Sequence, residues 1–312
     1  MFENDPDAMI RMAAFRHVRR HVDRDGCIEE IELRNGFEIR RDGRGKERMT
    51  IIHPQMGIHK PAKMRFLLSI KTVFPRPGGR IWYDDQHDIQ KRVFESEESL
   101  DYAFMSQDPM RAQNRHLREA MENEIRIIYF LGVAPGRYQV LMPSYITGWD
   151  ADGFKARISF GLPEQEILPA PNLSQRRYAL SLYKKRLHDT WFKMAVSDAY
   201  RHTCAVSNLR DANLLDVARI LPIPTDRLSR FEVRNGLLLS KIHHAAFEEN
   251  LIGIDPDYRL HLSEQLSGAD HGPLLNSLIG LQGTKISLPE RVEDRPHRER
   301  LAMRFDLFSA GQ

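Results

Sequence analysis

Cysteine is almost missing from this chain. Two residues in 312, Cys27 and Cys204, cannot supply a disulfide framework, nor the four ligands of an all-cysteine structural zinc. Long apolar runs are missing too: no stretch approaches the roughly 18 residues needed to cross a bilayer. The first residues, Met1-Phe2-Glu3-Asn4-Asp5, lack the basic-then-apolar layout of a secretory signal. No membrane partner is expected, and a cytoplasmic location is the default. Nor is there a strong excess of one charge. With 46 Lys and Arg against 43 Asp and Glu the net charge is +3, too mild to argue by itself for nucleic acid. The distribution of the charges says more than their sum.

At 312 residues, 41% hydrophobic and 29% charged, the chain is long enough for two domains with real cores. Ala8 to Val22 reads as a helix bearing Arg11, Arg16, Arg19 and Arg20. Cys27 to Ile39 alternates as a strand pair about Asn35-Gly36, a favoured hairpin dipeptide, and 40–48 reads as a solvated loop. These charges are either a wet surface or a phosphate-contacting one. A loop from His53 to Pro61 feeds a strand at Leu67 to Val73, a helix is expected over Asn114 to Glu124, and strands over Ile125 to Phe130 and Arg137 to Thr147. Closely spaced turns and many short strands suggest a β-rich, barrel-like reader over residues 1–165. If that module accepts a base turned out of a duplex, it needs aromatic faces, and Trp82, Tyr83, Tyr102 and Phe104 are candidates. Aromatics in a β-rich domain are more often plain core.

Gly161 to Pro171 holds three prolines and reads as a linker. Ser174 to Tyr200 then reads as one long helix. Leu180, Tyr183, Leu187, Trp191 and Met194, three or four apart, form its apolar face. Arg176, Arg177, Lys184, Lys185, Arg186 and Lys193 make the rest basic, six cations against Asp189 and Asp198 over 174–200. A helix of that charge suits a DNA backbone, although an acidic protein partner would also satisfy it.

The most specific stretch comes last. Leu214 to Ile220 reads as a strand, Val233-Arg234-Asn235-Gly236-Leu237-Leu238-Leu239 opens a second, and Ile242-His243-His244-Ala245-Ala246-Phe247-Glu248 reads as a helix. A strand pair from Leu251 to Leu262 follows, turning at Asp255-Pro256-Asp257. His244 and Glu248 lie four apart, so both project from one helical face and could share an ion. His243 points about 100° away from His244 and cannot face the same ion. The tail to Phe308 is amphipathic and carries no catalytic pattern; it is expected to brace this region.

The order Asn235-Gly236-Leu237-Leu238-Leu239, then His244 and Glu248, resembles the HNH (ββα-metal) endonucleases, nearest their bacterial restriction branch. The resemblance implies an α+β chain: a DNA-reading domain over 1–165, then the basic helix and an HNH domain over 166–312. It implies double-stranded DNA as partner, with a homodimer left open. In that family a histidine at the end of the first strand is the general base. Asn235 would orient the loop that carries it, and His244 with Glu248 would hold one Mg²⁺ or Mn²⁺, the hard ions that suit one imidazole and one carboxylate. Where the family has its base, however, the sequence reads Ala218-Arg219-Ile220. Arginine stays protonated and takes no proton from water, although it can clamp phosphate. The expectation is a restriction-type enzyme, with dependence on base modification as a variant, whose hydrolysis is impaired or lost through Arg219. The alternative is a catalytically inactive, HNH-derived DNA-binding protein or transcriptional regulator.

Overall fold

The structure, a computed structural model, describes residues 5–41, 45–73, 99–162, 172–221, 232–266 and 277–310. Internal contacts divide the chain into two compact units, Met1–Leu187 and His188–Gln312. The sequence places the boundary at 165/166. Most of the proline-bearing segment that suggested it, 163–171, lies outside the described residues.

The first unit opens with helix α1 (Ala8–His21), strand β1 (Cys27–Glu29), helix α2 (Glu30–Asn35) and strands β2 (Phe37–Arg41), β3 (Gly45–Met49), β4 (Ile58–His59), β5 (Ser69–Thr72) and β6 (Leu100–Ala103). Helix α3 (Ala112–Glu122), strands β7 (Arg126–Ala134), β8 (Arg137–Asp150) and β9 (Lys155–Phe160), and helix α4 (Leu173–Ala199) follow. Seven strands form one sheet in the order β4-β5-β7-β8-β9-β6, with β1 joined to β8. All its pairs are antiparallel except β5 and β7. Its centre is β7, whose residues Ile127 to Val133 are buried without alternation, as expected of a strand covered on both faces. Ala14 and Val18 of α1 pack with Ile28, Leu33, Phe37, Ile128 and Phe130 in one apolar cluster. Among the described strands the two ends of the sheet, β4 and β6, do not pair, so this is an open path with a branch.

The expected hairpin about Asn35-Gly36 is not there. Glu30 to Asn35 wind into α2, burying Leu33, and Gly36 follows the helix at φ +69°. A side chain at Gly36 would place Cβ 2.3 Å from the Met49 carbonyl oxygen. Asn-Gly supplies left-handed backbone to hairpin turns and to helix ends alike, so the dipeptide alone does not choose between them. The hairpin lies one step later: β2 pairs with β3, partly within the segment expected as loop.

The second unit continues from the end of α4 into β10 (Leu215–Arg219), β11 (Gly236–Ser240), helix α5 (Lys241–Glu248), the hairpin β12 (Ile252–Ile254) with β13 (Leu260–Leu262), and helix α6 (Arg298–Ala310). Phe192 and Val196 of α4, Leu237 to Leu239 of β11 and Phe247 of α5 share one core with Ile252, Ile254 and Leu301. Helix α6 braces this core, as the tail's pattern suggested. Its Arg304 donates to the Phe247 carbonyl at 2.5 Å and to the Asn250 side chain, and Phe308 packs so closely on Gly253 that a Cβ there would lie 2.6 Å from the ring. No described helix is long and apolar enough to cross a membrane.

Candidate active site at the ββα motif

Strand β10 pairs antiparallel with β11 from Leu215↔Ser240 to Arg219↔Gly236, and α5 follows β11 directly. The helix starts there because the Ser240 hydroxyl accepts from the His243 backbone N–H at 3.2 Å, a side-chain N-cap. Gly236 is extended rather than left-handed, with φ −120°. Glycine is needed for close approach: a Cβ would lie 2.4 Å from Val196 and 3.0 Å from Phe192.

Asn235 is fully buried and ties the far end of β10 in place. Its side chain accepts from the Leu221 N–H at 3.1 Å and donates to the Leu221 carbonyl at 3.1 Å, while its own carbonyl accepts from Ile220 N–H at 2.9 Å. Three hydrogen bonds fix the chain immediately after Arg219. The Arg219 guanidinium pairs with Asp189 of α4 and lies 5.0 Å from the centre of the Phe192 ring. Both contacts hold a cation at the tip of β10.

On α5, His244 is half-buried between two carboxylates. Asp216 Oδ2 is 3.2 Å from its Nδ1 and Glu248 Oε1 is 3.6 Å from its Nε2. The hydrogen bond to Asp216 raises the His244 pKa, against the effect of burial and with further help from both carboxylate charges. Asp216 is pulled down to about 2, first by that bond from His244, then by the Val217 N–H and by Lys193, whose Nζ is 4.0 Å away.

Asp216 is the residue that sequence reasoning missed. Period-two alternation puts 216 on the β10 face opposite 217 and 219, a signal that was available but reads as a solvated strand position. His243 turns elsewhere, as its 100° offset requires. Its Nδ1 lies 2.9 Å from Ser240 Oγ and 3.5 Å from Cys204 Sγ, in a buried corner. Cys204 also accepts from the Ser207 and Ser240 N–H groups at 3.4 and 3.1 Å. Burial alone would raise its pKa; the bonds with His243, Ser207 and the Val206 backbone outweigh burial and bring it to about 6.

Among the described residues, no group of three or more His, Cys, Asp or Glu is arranged to hold a metal ion. Two hydrogen-bonded donors stand at a spacing that one ion could share. Adjacent ligands on an octahedral ion, each about 2.1 Å from it, stand about 3 Å apart. Asp216 Oδ2 and His244 Nδ1, at 3.2 Å, match that spacing. Glu248 sits instead on the opposite ring nitrogen, where an orienting carboxylate stands behind a metal-bound histidine.

The remaining sequence candidates scatter. Tyr102 is buried, with its hydroxyl donating to the Lys71 carbonyl at 3.2 Å and its ring 6.0 Å from that of Tyr129. Phe104 is buried against Trp149, ring centres 4.2 Å apart. Trp82 and Tyr83 lie outside the described residues. Of the α4 cations, Arg177, Lys185 and Arg186 are exposed, Arg176 and Lys184 half-buried, and Lys193 faces Asp216.

A two-stranded hairpin followed by a helix, with a buried Asn at the hairpin root and a carboxylate-flanked His on the helix, defines the ββα-metal class of domain. The family is that of the HNH endonucleases: its model matches residues 204–255, and this part of the chain belongs to it. No curated protein matches the chain. A similar solved structure is a modification-dependent TagI restriction endonuclease, 12% identical, covering 82% of this chain and 86% of that one at a TM-score of 0.28. At that score the likeness carries no argument about shape or function.

Proposed function

We propose that the chain is a metal-dependent DNA endonuclease of the HNH restriction type whose phosphodiester hydrolysis is slowed or abolished by Arg219. The observation that carries this reading is the guanidinium itself. It stands at the tip of β10, at the family's position for a general base, and is held there by Asp189 and Phe192. A group that keeps its proton at every cellular pH cannot deprotonate water. What it can do is hold a phosphate oxygen near the site while Asn235 keeps the strand end in register. Loss of a general base typically costs about 10²–10⁴-fold in rate.

In this reading Asp216 and His244 hold one Mg²⁺ or Mn²⁺, with Glu248 orienting the ring from behind. A divalent cation there would neutralise charge developing on the phosphate. Its binding competes with protonation of His244, whose pKa the neighbouring carboxylates raise, so affinity rises with pH. A regulator that binds DNA without cutting is the second reading. It is favoured by the pairing of Lys193 with Asp216, which puts a built-in cation where a metal would compete.

The test is nicking of supercoiled plasmid with Mn²⁺ by the native chain and by Arg219→His, side by side. Faster cutting by the histidine variant, by about two to four orders of magnitude, supports the impaired nuclease. Brisk cutting by the native chain would assign the base to another residue. No cutting by either, with DNA binding intact, favours the regulator.

A further inference from the structure

The part of helix α4 that belongs to the second unit turns one stripe of side chains towards the tip of β10. Asp189, Phe192 and Lys193 lie three and four positions apart, so they share a helical face. Strand β11 lets that face come close. Gly236, the register partner of Arg219, would carry a Cβ to 3.0 Å from the Phe192 ring and 2.4 Å from Val196. All of these residues lie within the second unit.

The stripe meets the candidate site with two charges of opposite sign, one turn apart. Asp189 pairs with the Arg219 guanidinium, whose central carbon lies 5.0 Å from the Phe192 ring centre. Lys193 Nζ stands 4.0 Å from Asp216 Oδ1, while the other oxygen of that carboxylate, Oδ2, is 3.2 Å from His244 Nδ1. Each pairing copies a contact that the proposed chemistry needs. A carboxylate on a guanidinium takes the forked donors that a phosphate would take. An ammonium beside Asp216 supplies positive charge where a divalent ion would bring its own. The four side chains are 29–39% exposed, within reach of an incoming ligand rather than sealed in the core. Pairs this exposed hold weakly, so displacing one lowers ligand affinity by about five-fold or less.

We infer that this turn of α4 is a built-in stand-in for a metal-bound phosphate: Asp189 covers the phosphate clamp, Lys193 covers the metal ligand, and DNA and ion must displace them to bind. The inference rests on the reading of the chain as a metal-dependent DNA-binding protein and adds what its ligands compete with. It gives Asp189 a role in affinity that its place on a basic helix does not announce.

The clamp half is tested by fluorescence anisotropy of the full chain with a labelled duplex, without metal. Asp189→Asn, which keeps size and loses charge, should tighten binding about three- to five-fold. Asp189→Ala, made alongside, should tighten it equally and guards against an effect of the new amide. In an Arg219→Gln chain the same Asp189→Asn change should alter affinity by less than about two-fold, because no clamp is left to uncover. Equal tightening in that chain would show only the loss of an acid near DNA, and would overturn the clamp. The metal half is read with Mn²⁺ alone by electron paramagnetic resonance. Lys193→Met should bind the ion more tightly than the native chain, and Lys193→Arg, which keeps the charge, should not. One Mn²⁺ affinity for all three chains would overturn Lys193 as a stand-in. Duplex binding that Asp189→Asn leaves untouched overturns the inference alone, whereas a native chain that binds no duplex counts against the DNA-binding reading and takes the inference with it.

Discussion

The two units treat charge in opposite ways. In the second, cations and anions alternate through contacts: Arg219 with Asp189, Lys193 with Asp216, and Asp216 with His244, which also meets Glu248. In the first, Arg11, Arg16, Arg19 and Arg126 line one cleft and Arg19 and Arg186 a second, and among the described residues neither lining includes a carboxylate. The histidines differ likewise. The His244 pKa is raised by its flanking carboxylates, while that of His59, hydrogen-bonded to Thr50, is lowered to about 4 by burial. A basic residue in the sequence is therefore not yet a contact for DNA; its neighbours decide whether it is available.

The comparison breaks most severely where the frame of the second unit is cut. Asn235→Ala strips the Leu221 N–H and carbonyl of their partners in a buried place, at about 1–3 kcal/mol each. The expected result is a loss of about 3 kcal/mol in urea unfolding of the second unit, with the first unit's transition unmoved. Equal shifts in both would show that the two do not unfold separately.

The contrast between histidines sharpens it next. His59 has a folded pKa near 4 against an ordinary 6.5, so the folded chain binds fewer protons there than the unfolded one. Its contribution is full above pH 6.5 and is lost as pH falls from 6.5 towards 4. The loss amounts to roughly 3 kcal/mol, and His59→Gln should remove that part of the pH dependence. Urea midpoints at the two ends of this window measure it; an unchanged slope in the variant would place the proton uptake elsewhere.

A smaller effect concerns the competition at Asp216. Lys193→Met takes away the ammonium 4.0 Å from that carboxylate. Mn²⁺ affinity, read by electron paramagnetic resonance, should rise by up to about ten-fold, the equivalent of 1.4 kcal/mol. Unaltered or weaker affinity would mean that Lys193 does not compete for the site.

Much of α4 and of the second unit was legible because their signals are local. The spacing of Leu180, Tyr183, Leu187 and Trp191 gave the long helix, which spans Leu173–Ala199, and the Asn-Gly-Leu-Leu-Leu run gave the strand before α5. Where pairing is distant, the sequence was silent. The parallel contact of β5 with β7 joins residues about sixty apart, and no dipeptide announces it. Asn35-Gly36 misled because left-handed backbone serves a helix end as readily as a hairpin. Asp216 escaped because its meaning comes from His244, twenty-eight positions away, and Lys193 was grouped with the exposed cations because helical periodicity does not show what a face meets. Arg186 and Arg19 could not be joined on paper for the same reason.

The commitment of Lys193 to Asp216 is tested most directly by one pair of salt titrations on duplex DNA. Lys185→Ala, at an exposed cation of α4, should lower the slope of log affinity against log salt by about one. Lys193→Ala, whose ammonium already faces Asp216, should leave that slope unchanged. A fall of about one for Lys193→Ala with none for Lys185→Ala would reverse the assignment and contradict the account.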